Sequence, residues 1–308
     1  MNFRPHTHAL AAAIGLTLTF TTAACGSSSG SSDSAAESTT CPDGQIRFGV
    51  EPFEDPAKLT PAYQAVADEL EKSLDCPVKV TIVEDYSAEV LAMQNGQLEL
   101  AQFGPLGFVF ASERADAQPV ASFGTADGSL STYTAGVWVP RGSTITDMAG
   151  LVGKTLALGS VGSTSGDALP RQALADAGVA EDALKIEYAG GHPEALLALT
   201  NGKVDAAQIN SQTLATAVAE GTFNPDDYTQ IWTSEPIPND PITVRGDLPQ
   251  EFKDAVTKAL LNLPPKTVGE VGAFLDVNPP GPMVEVSKKT YQPLFDLAQT
   301  LGLTENDA

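Results

Sequence analysis

The densest run of potential chemistry in the chain is Leu158-Gly159-Ser160-Val161-Gly162-Ser163-Thr164-Ser165-Gly166, which holds three glycines and four hydroxyl side chains in nine residues. It follows the apolar run Leu156-Ala157-Leu158 and precedes the helical spacing of Ala168, Ala173, Leu174 and Ala177. A strand that turns through glycines into a helix presents unpaired N–H groups and hydroxyls at the helix start, an arrangement that holds an anion without a counter-charge. The same residues also fit a plain Ser/Thr cap on a Gly-rich loop.

Catalysis has weaker support. Gly162-Ser163-Thr164-Ser165-Gly166 has the outline of a nucleophile elbow, but its central residue is Thr164. His6 and His8 lie in the leader, so His192 is the single histidine beyond it, with no matching nucleophile motif. Gly153-Lys154-Thr155 fails as a phosphate loop, because Met148 stands where the upstream glycine belongs and the tripeptide precedes its strand. One histidine and two paired cysteines leave no metal constellation, so neither metal nor cofactor is expected.

The elements that must position these residues alternate. Ile46 to Val50 reads as a strand; Thr60 caps a helix with Pro61 at its first position; Val78 to Val83 is a second strand. A helix from Ala88 to Gln94 ends at Asn95-Gly96, and Leu98 to Phe103 is a third strand. This order predicts an α/β fold with parallel sheets flanked by helices. A helix from Leu106 to Glu113 and a strand from Tyr133 to Val139 follow, and the pattern restarts near Asp147. Asn95-Gly96-Gln97-Leu98-Glu99-Leu100-Ala101-Gln102 lines up with Asn201-Gly202-Lys203-Val204-Asp205-Ala206-Ala207-Gln208, and Ser87 and His192 fall at equivalent caps. Two copies of one lobe, joined by crossings near 138 to 142 and 235 to 241, imply a hinge and a cleft. The boundaries read as 45–139 plus 241–308 for lobe 1 and 140–240 for lobe 2.

With 308 residues and 42% hydrophobic content, the chain can bury a full core. Arg4, the apolar run Ala9 to Phe20 and Thr22-Ala23-Ala24-Cys25 read as a secretory signal over 1–24. The signal resembles that of a bacterial lipoprotein, with Cys25 as the lipidated first residue and Thr22 in place of the usual Leu. The Ser/Gly-rich stretch after it makes 25–44 a flexible tether. Cys41 and Cys76 each sit before a strand in an exported chain, so adjacent parallel strands would bring them together as a disulfide. A net charge of −22 argues against nucleic acid as a partner and requires any anion to be held by local dipoles.

The succession Phe48-Gly49-Val50 with Glu54-Asp55-Pro56, Asp85-Tyr86, Gly104-Pro105-Leu106, the Gly162 to Gly166 loop, Asn201 to Ala207 and Ser234 to Pro241 resembles the phosphonate-binding proteins of bacterial ABC importers. The resemblance covers nearly all of 45 to 265. It implies a two-lobed type II periplasmic-binding-protein fold, a lipid-anchored extracytoplasmic receptor and an ABC permease as partner, with no catalysis. Ser163, Thr164 and Ser165 would hold the oxyanion, His192 would close on it, and Tyr86 and Tyr133 would reach across from the first lobe. Asp240 would face the ligand's substituent. Gln212 stands where members that bind aminoalkylphosphonates use a second acid, and Phe108 where Tyr is common. Both departures favour phosphite or methylphosphonate over a zwitterion. A receptor for another anion such as a sulfonate, and a hydrolase using His192, are the alternatives.

Overall fold

The computed structural model of the protein describes residues 40–304; the leader, Cys25 and most of the expected tether lie outside them. Ile46–Val50 (β1) begins the first sheet, Pro56–Leu74 (α1) crosses over, and Val78–Ile82 (β2) pairs parallel to β1. Tyr86–Gln94 (α2) leads to Leu100–Gln102 (β3), parallel to β1 on its other side. Pro105–Arg114 (α3) is buried from Pro105 to Ser112, as a helix apolar on every face must be. Gln118–Thr125 (β4), Thr132–Tyr133 (β5) and Gly136–Pro140 (β6) follow.

The second half repeats the grammar: Thr155–Leu158 (β7), a π-turn over Thr164–Ala168, Leu169–Asp176 (α4), Lys185–Tyr188 (β8), His192–Thr200 (α5), Ala206–Gln208 (β9) and Ser211–Ala219 (α6). Tyr228–Thr233 (β10), Ile237–Pro238 (β11) and Ile242–Val244 (β12) carry the chain back, and Gln250–Leu261 (α7), Pro265–Gly272 (α8), Pro280–Glu285 (β13) and Gln292–Leu301 (α9) complete it. The first sheet has the order β13-β4-β12-β3-β1-β2 and the second β10-β6-β9-β7-β8; β5 and β11 form a separate two-stranded ribbon.

Alternation along the strands sets the layers. Phe48 and Leu100 meet α1, α7 and α8 through Tyr63, Leu70, Phe252 and Val271, whereas Ala101 meets α2, α3 and α9 on the opposite face through Met93, Phe108 and Leu297. In the second sheet Leu156 and Val137 pack with Leu174, while Ala157 and Trp138 pack with Leu196 and Leu199. Each fully buried Leu or Phe contributes about 1.5–3 kcal/mol.

Five expectations change. Neither main sheet is mostly parallel: β12 runs antiparallel to β3 and β4, β13 to β4, and β6 to β9 and β10, because the strands that follow the parallel β-α-β core enter from the opposite end. α1 starts at Pro56, not after Thr60, because the Asp55 carboxylate accepts the Ala57 N–H and Pro56 takes the first position. Pro61 lies inside the helix on an exposed side, where water can serve the carbonyl that its missing N–H leaves free. The expected strand Tyr133 to Val139 is two strands: β5 joins the ribbon and β6 already pairs with β9 and β10. Residues 136–139 therefore belong to the second sheet, and the passages between sheets run through the ribbon, at 126–135 and 234–241. Finally, Cys41 joins Cys76 in a disulfide at the end of the sheet where parallel β1 and β2 both enter, so 40–44 is tied to the fold and is not tether.

The internal repeat is structural. Asn95-Gly96 and Asn201-Gly202 both end helices through a left-handed glycine, with Gln97 and Lys203 donating back to Ala92 and Ala198. Glu99 and Asp205 open equivalent strands, and their carboxylates accept the N–H of Arg47 and Thr155. The register pairs His192 with Tyr86, not with Ser87: each is the first helical residue, behind Gly191 and Asp85.

Candidate functional site

The loop after β7 is built to hold its hydroxyls still. Gly162 has φ +82°, the Gly159 N–H bonds the Gly166 carbonyl, and Asp167 accepts the Gly162 N–H at 3.1 Å and the Tyr188 hydroxyl at 2.7 Å. The turn then opens at Thr164, whose N–H and that of Ser165 are the ones a helix start leaves unpaired.

Each hydroxyl of the triplet accepts a fixed N–H. Ser163 Oγ accepts from Gly166 N at 3.1 Å, Thr164 Oγ1 from Leu106 N at 2.9 Å, and Ser165 Oγ from Asn210 Nδ2 at 3.1 Å. An oxygen whose lone pair is occupied in this way directs its own O–H elsewhere, so the three become oriented donors. A Cβ on Gly166 would lie 2.8 Å from His192 Cε1 and 2.9 Å from Ser163 Oγ, so only glycine fits.

His192 stands at the start of α5. Its Nδ1 meets Gln208 Oε1 at 3.0 Å and its Nε2 meets Ser163 Oγ at 3.2 Å. With the Gln208 oxygen accepting, Nδ1 carries the hydrogen and Nε2 is free to accept from Ser163. Burial pushes the imidazole down to about 4, so the ring is neutral. A Ser–His contact thus exists, but the base is weak and an amide, not a carboxylate, lies behind it.

The first half closes the space from the other side. Tyr86 starts α2 behind Asp85, whose carboxylate accepts the Ala88 N–H at 2.6 Å. Burial raises the Tyr86 phenol well above its usual value, opposed by its contact with Ser163. Burial does the same to Tyr133 of β5, opposed by contacts with Ser165 and Thr164. Asp240, 3% exposed, reaches Gln102 Nε2 at 3.4 Å, and burial lifts it to about 7. Gln212 lines the same space with its amide on Asn239 Oδ1 at 3.1 Å.

All seven expected contact residues, Tyr86, Tyr133, Ser163, Thr164, Ser165, His192 and Asp240, face one enclosed space of about 10 Å³. That is close to the minimum for a single water, so the walls are drawn tightly together. Sequence reasoning missed Glu51, Phe53, Gly104 and Asn210, which line it as well. Glu51 was readable only as part of a turn after β1; its Oε2 accepts the Gly104 N–H, and a Cβ at Gly104 would sit 2.8 Å from that oxygen. The repeat pairs Asn210 with Gly104, each two residues beyond its strand, a signal that could have found them. Among the described residues no group of three or more His, Cys, Asp or Glu is placed to hold a metal ion, and no helix is long and apolar enough to cross a membrane.

A family of sequences described as the phosphonate periplasmic substrate-binding protein of an ABC transporter matches residues 48–291. The phosphonates-binding periplasmic protein of Escherichia coli is 28% identical over 222 residues, covering 70% of this chain and 65% of that protein. The phosphate-import protein PhnD of Mycolicibacterium smegmatis is 27% identical over 203 residues, covering 62% and 63%. The chain therefore spans just under two thirds of the length of these two relatives. In fold it is similar to PhnD1 from Prochlorococcus marinus in complex with methylphosphonate, with a TM-score of 0.73 at 20% identity over 86% of this chain and 99% of that one.

Proposed function

Because the chain belongs to the family of phosphonate periplasmic substrate-binding proteins of ABC transporters, we propose that it captures a small phosphorus oxyanion in the cleft between its two sheets and delivers it to an ABC permease. The observation that carries this reading is the hydroxyl triplet: with Ser163 turned to His192, the oriented hydroxyls of Thr164 and Ser165 and the N–H groups of one helical turn converge on a space lined by no lysine or arginine. A hydrogen bond to a charged acceptor contributes about 1.5–3 kcal/mol, so five or six of them outweigh the desolvation of a small anion. Neutral donors also release cargo more readily than an Arg clamp would.

Gln212, held on Asn239 where aminoalkylphosphonate binders carry a second acid, favours phosphite or methylphosphonate over a zwitterion. Two lobes, one on each sheet, hinge at the β5–β11 ribbon to admit the ligand. Cys25, outside the described residues, anchors the mature chain to the outer face of the cell membrane through lipid, with the Ser/Gly-rich segment after it as tether. The family is one of binding proteins, and the weakened His192 supports binding without turnover.

Titration calorimetry with phosphite, methylphosphonate, 2-aminoethylphosphonate, phosphate, sulfate and methanesulfonate tests the reading. Tightest binding by one of the first two is expected. Preference for methanesulfonate would make the protein a sulfonate receptor, and indifference to every anion would remove the oxyanion role.

A further inference from the structure

The cleft lining contains two carboxyl groups, Glu51 and Asp240, and no basic side chain to balance them. A third, Glu89, is fully buried behind the cleft, and neither of its oxygens has a hydrogen-bond partner. Ionised together beside a bound anion, these groups would repel it in a space nearly free of water. Neutral, each becomes an O–H donor. Glu51 is the best placed of the three: the Gly104 N–H engages Oε2 and holds the carboxyl at the carboxyl end of β1, facing the space that the hydroxyl triplet also faces.

Resting on the oxyanion reading above, we propose that Glu51 contacts the bound anion as a neutral acid, donating an Oε1–H to a ligand oxygen, so that the cleft holds this proton whenever it holds cargo and takes it up from solvent at any pH that has removed it. The groups facing Glu51 support a neutral state. Asp240 from the segment before β12, Glu89 and Tyr86 from α2, Tyr63 from α1 and Tyr133 from β5 surround it, none of them cationic. His192 across the cleft is neutral as well. Burial first, then the charges of Asp240 and Glu89, push the Glu51 carboxyl well above its usual range. Asp240 and Glu51 feel one another, so the proton belongs to the pair and an incoming anion draws it in further. A doubly charged oxyanion, which brings only acceptors, gains most from such a donor. The acid therefore sets which protonation state of the ligand is preferred.

Glu51→Gln is the discriminating variant, because its amide keeps an acceptor for Gly104 and presents a permanent donor to the ligand. Calorimetry with methylphosphonate and phosphite at pH 6.5 and 8.5, each in two buffers of different ionisation enthalpy, reads affinity and protons taken up. As pH rises from 6.5 to 8.5 the wild-type protein is expected to take up more protons on binding than Glu51→Gln, the excess growing towards one. Its affinity should weaken by up to about tenfold per pH unit in excess of the variant. The ligand's own ionisation is common to both proteins and cancels in the difference. Equal proton uptake, or equal pH dependence, overturns the role of Glu51 while leaving the anion site in place. Failure of the wild-type protein to bind any oxyanion overturns the underlying reading and this one with it. Should Glu51→Gln not fold, hypophosphite, which takes no second proton, isolates the wild-type count: uptake of a proton supports the proposal and its absence overturns it.

Discussion

The two halves of the molecule share a scaffold and differ in what they place at its rim. In both, a helix ends at Asn-Gly, an acid opens the next strand, and a side chain at the first helical position faces the cleft: Tyr86 in one half and His192 in the other. The strand-to-helix loops diverge. After β1 the chain runs through Glu51, two prolines and the Asp55 cap, whereas after β7 it runs through glycines and hydroxyls. Glu89 of α2 corresponds to Ala195 of α5, so the first half buries a carboxyl where the second buries a methyl group. Repetition thus supplies the frame, and divergence supplies the chemistry: oriented donors from one loop on one side, and on the other Glu51 of the matching loop with acids and phenols from α2, β5 and the segment before β12.

That division is broken most directly at the second loop. Gly166→Ala forces a Cβ to within 2.8 Å of His192, and Ser163→Ala with Thr164→Ala removes one oriented donor together with the hydroxyl that holds His192 Nε2. Either change should weaken oxyanion binding by about 10- to 100-fold, given 1.5–3 kcal/mol per charged hydrogen bond. Calorimetry beside circular dichroism would show lost affinity with retained fold, and retained affinity would move the anion to the first half.

A smaller effect separates the equivalent acids Glu99 and Asp205. Glu99 is fully buried and also holds Arg47 and Arg245, whereas Asp205 is exposed and caps one N–H. Glu99→Ala should cost roughly 2–4 kcal/mol, the lower part of that range reflecting the partial exposure of Arg47, and Asp205→Ala about 0.5–1 kcal/mol. Urea denaturation measures both, and equal costs would mean that the repeat is symmetric in energy as well as in form.

A third effect is one of pH, in which the halves pull in opposite directions. Glu51 and Glu89 keep protons in the folded chain that the unfolded chain releases above about pH 4, so stability falls as pH climbs through their raised values. Asp240 adds the same slope up to about 7. His192 acts inversely: the unfolded imidazole takes a proton below about 6.5 and the folded one resists to about 4, so stability falls as pH drops across that window. His192 offsets one acid of the three there and none above it. The ligand-free protein should melt at a lower temperature at pH 8 than at pH 5.5, and Glu89→Gln should flatten the difference; scanning calorimetry at both values decides it.

Much of this architecture was legible in the amino-acid order because it rests on local signals. The alternation of strands and helices, the Asn-Gly turns and the glycine–hydroxyl loop each follow from short-range sterics and capping. What stayed hidden depends on distant partners. Thr60 looked like a cap because Pro61 follows it, yet Asp55 and Pro56 form the better start five residues earlier. The passage at β5 could not be separated from β6 by periodicity, since Tyr133 runs with little break into the apolar residues of β6 and the division depends on which strand each one meets. Glu51 and Asp167 matter through residues far along the chain or through a turn whose π geometry no spacing rule announces.

The Thr164 hydroxyl touches the opposite half through the Leu106 N–H. On the function proposed above, grip and gate would be one device: swinging the sheets apart would withdraw the N–H that aims this hydroxyl, so the cargo would lose its hold as the exit opened, with no separate trigger.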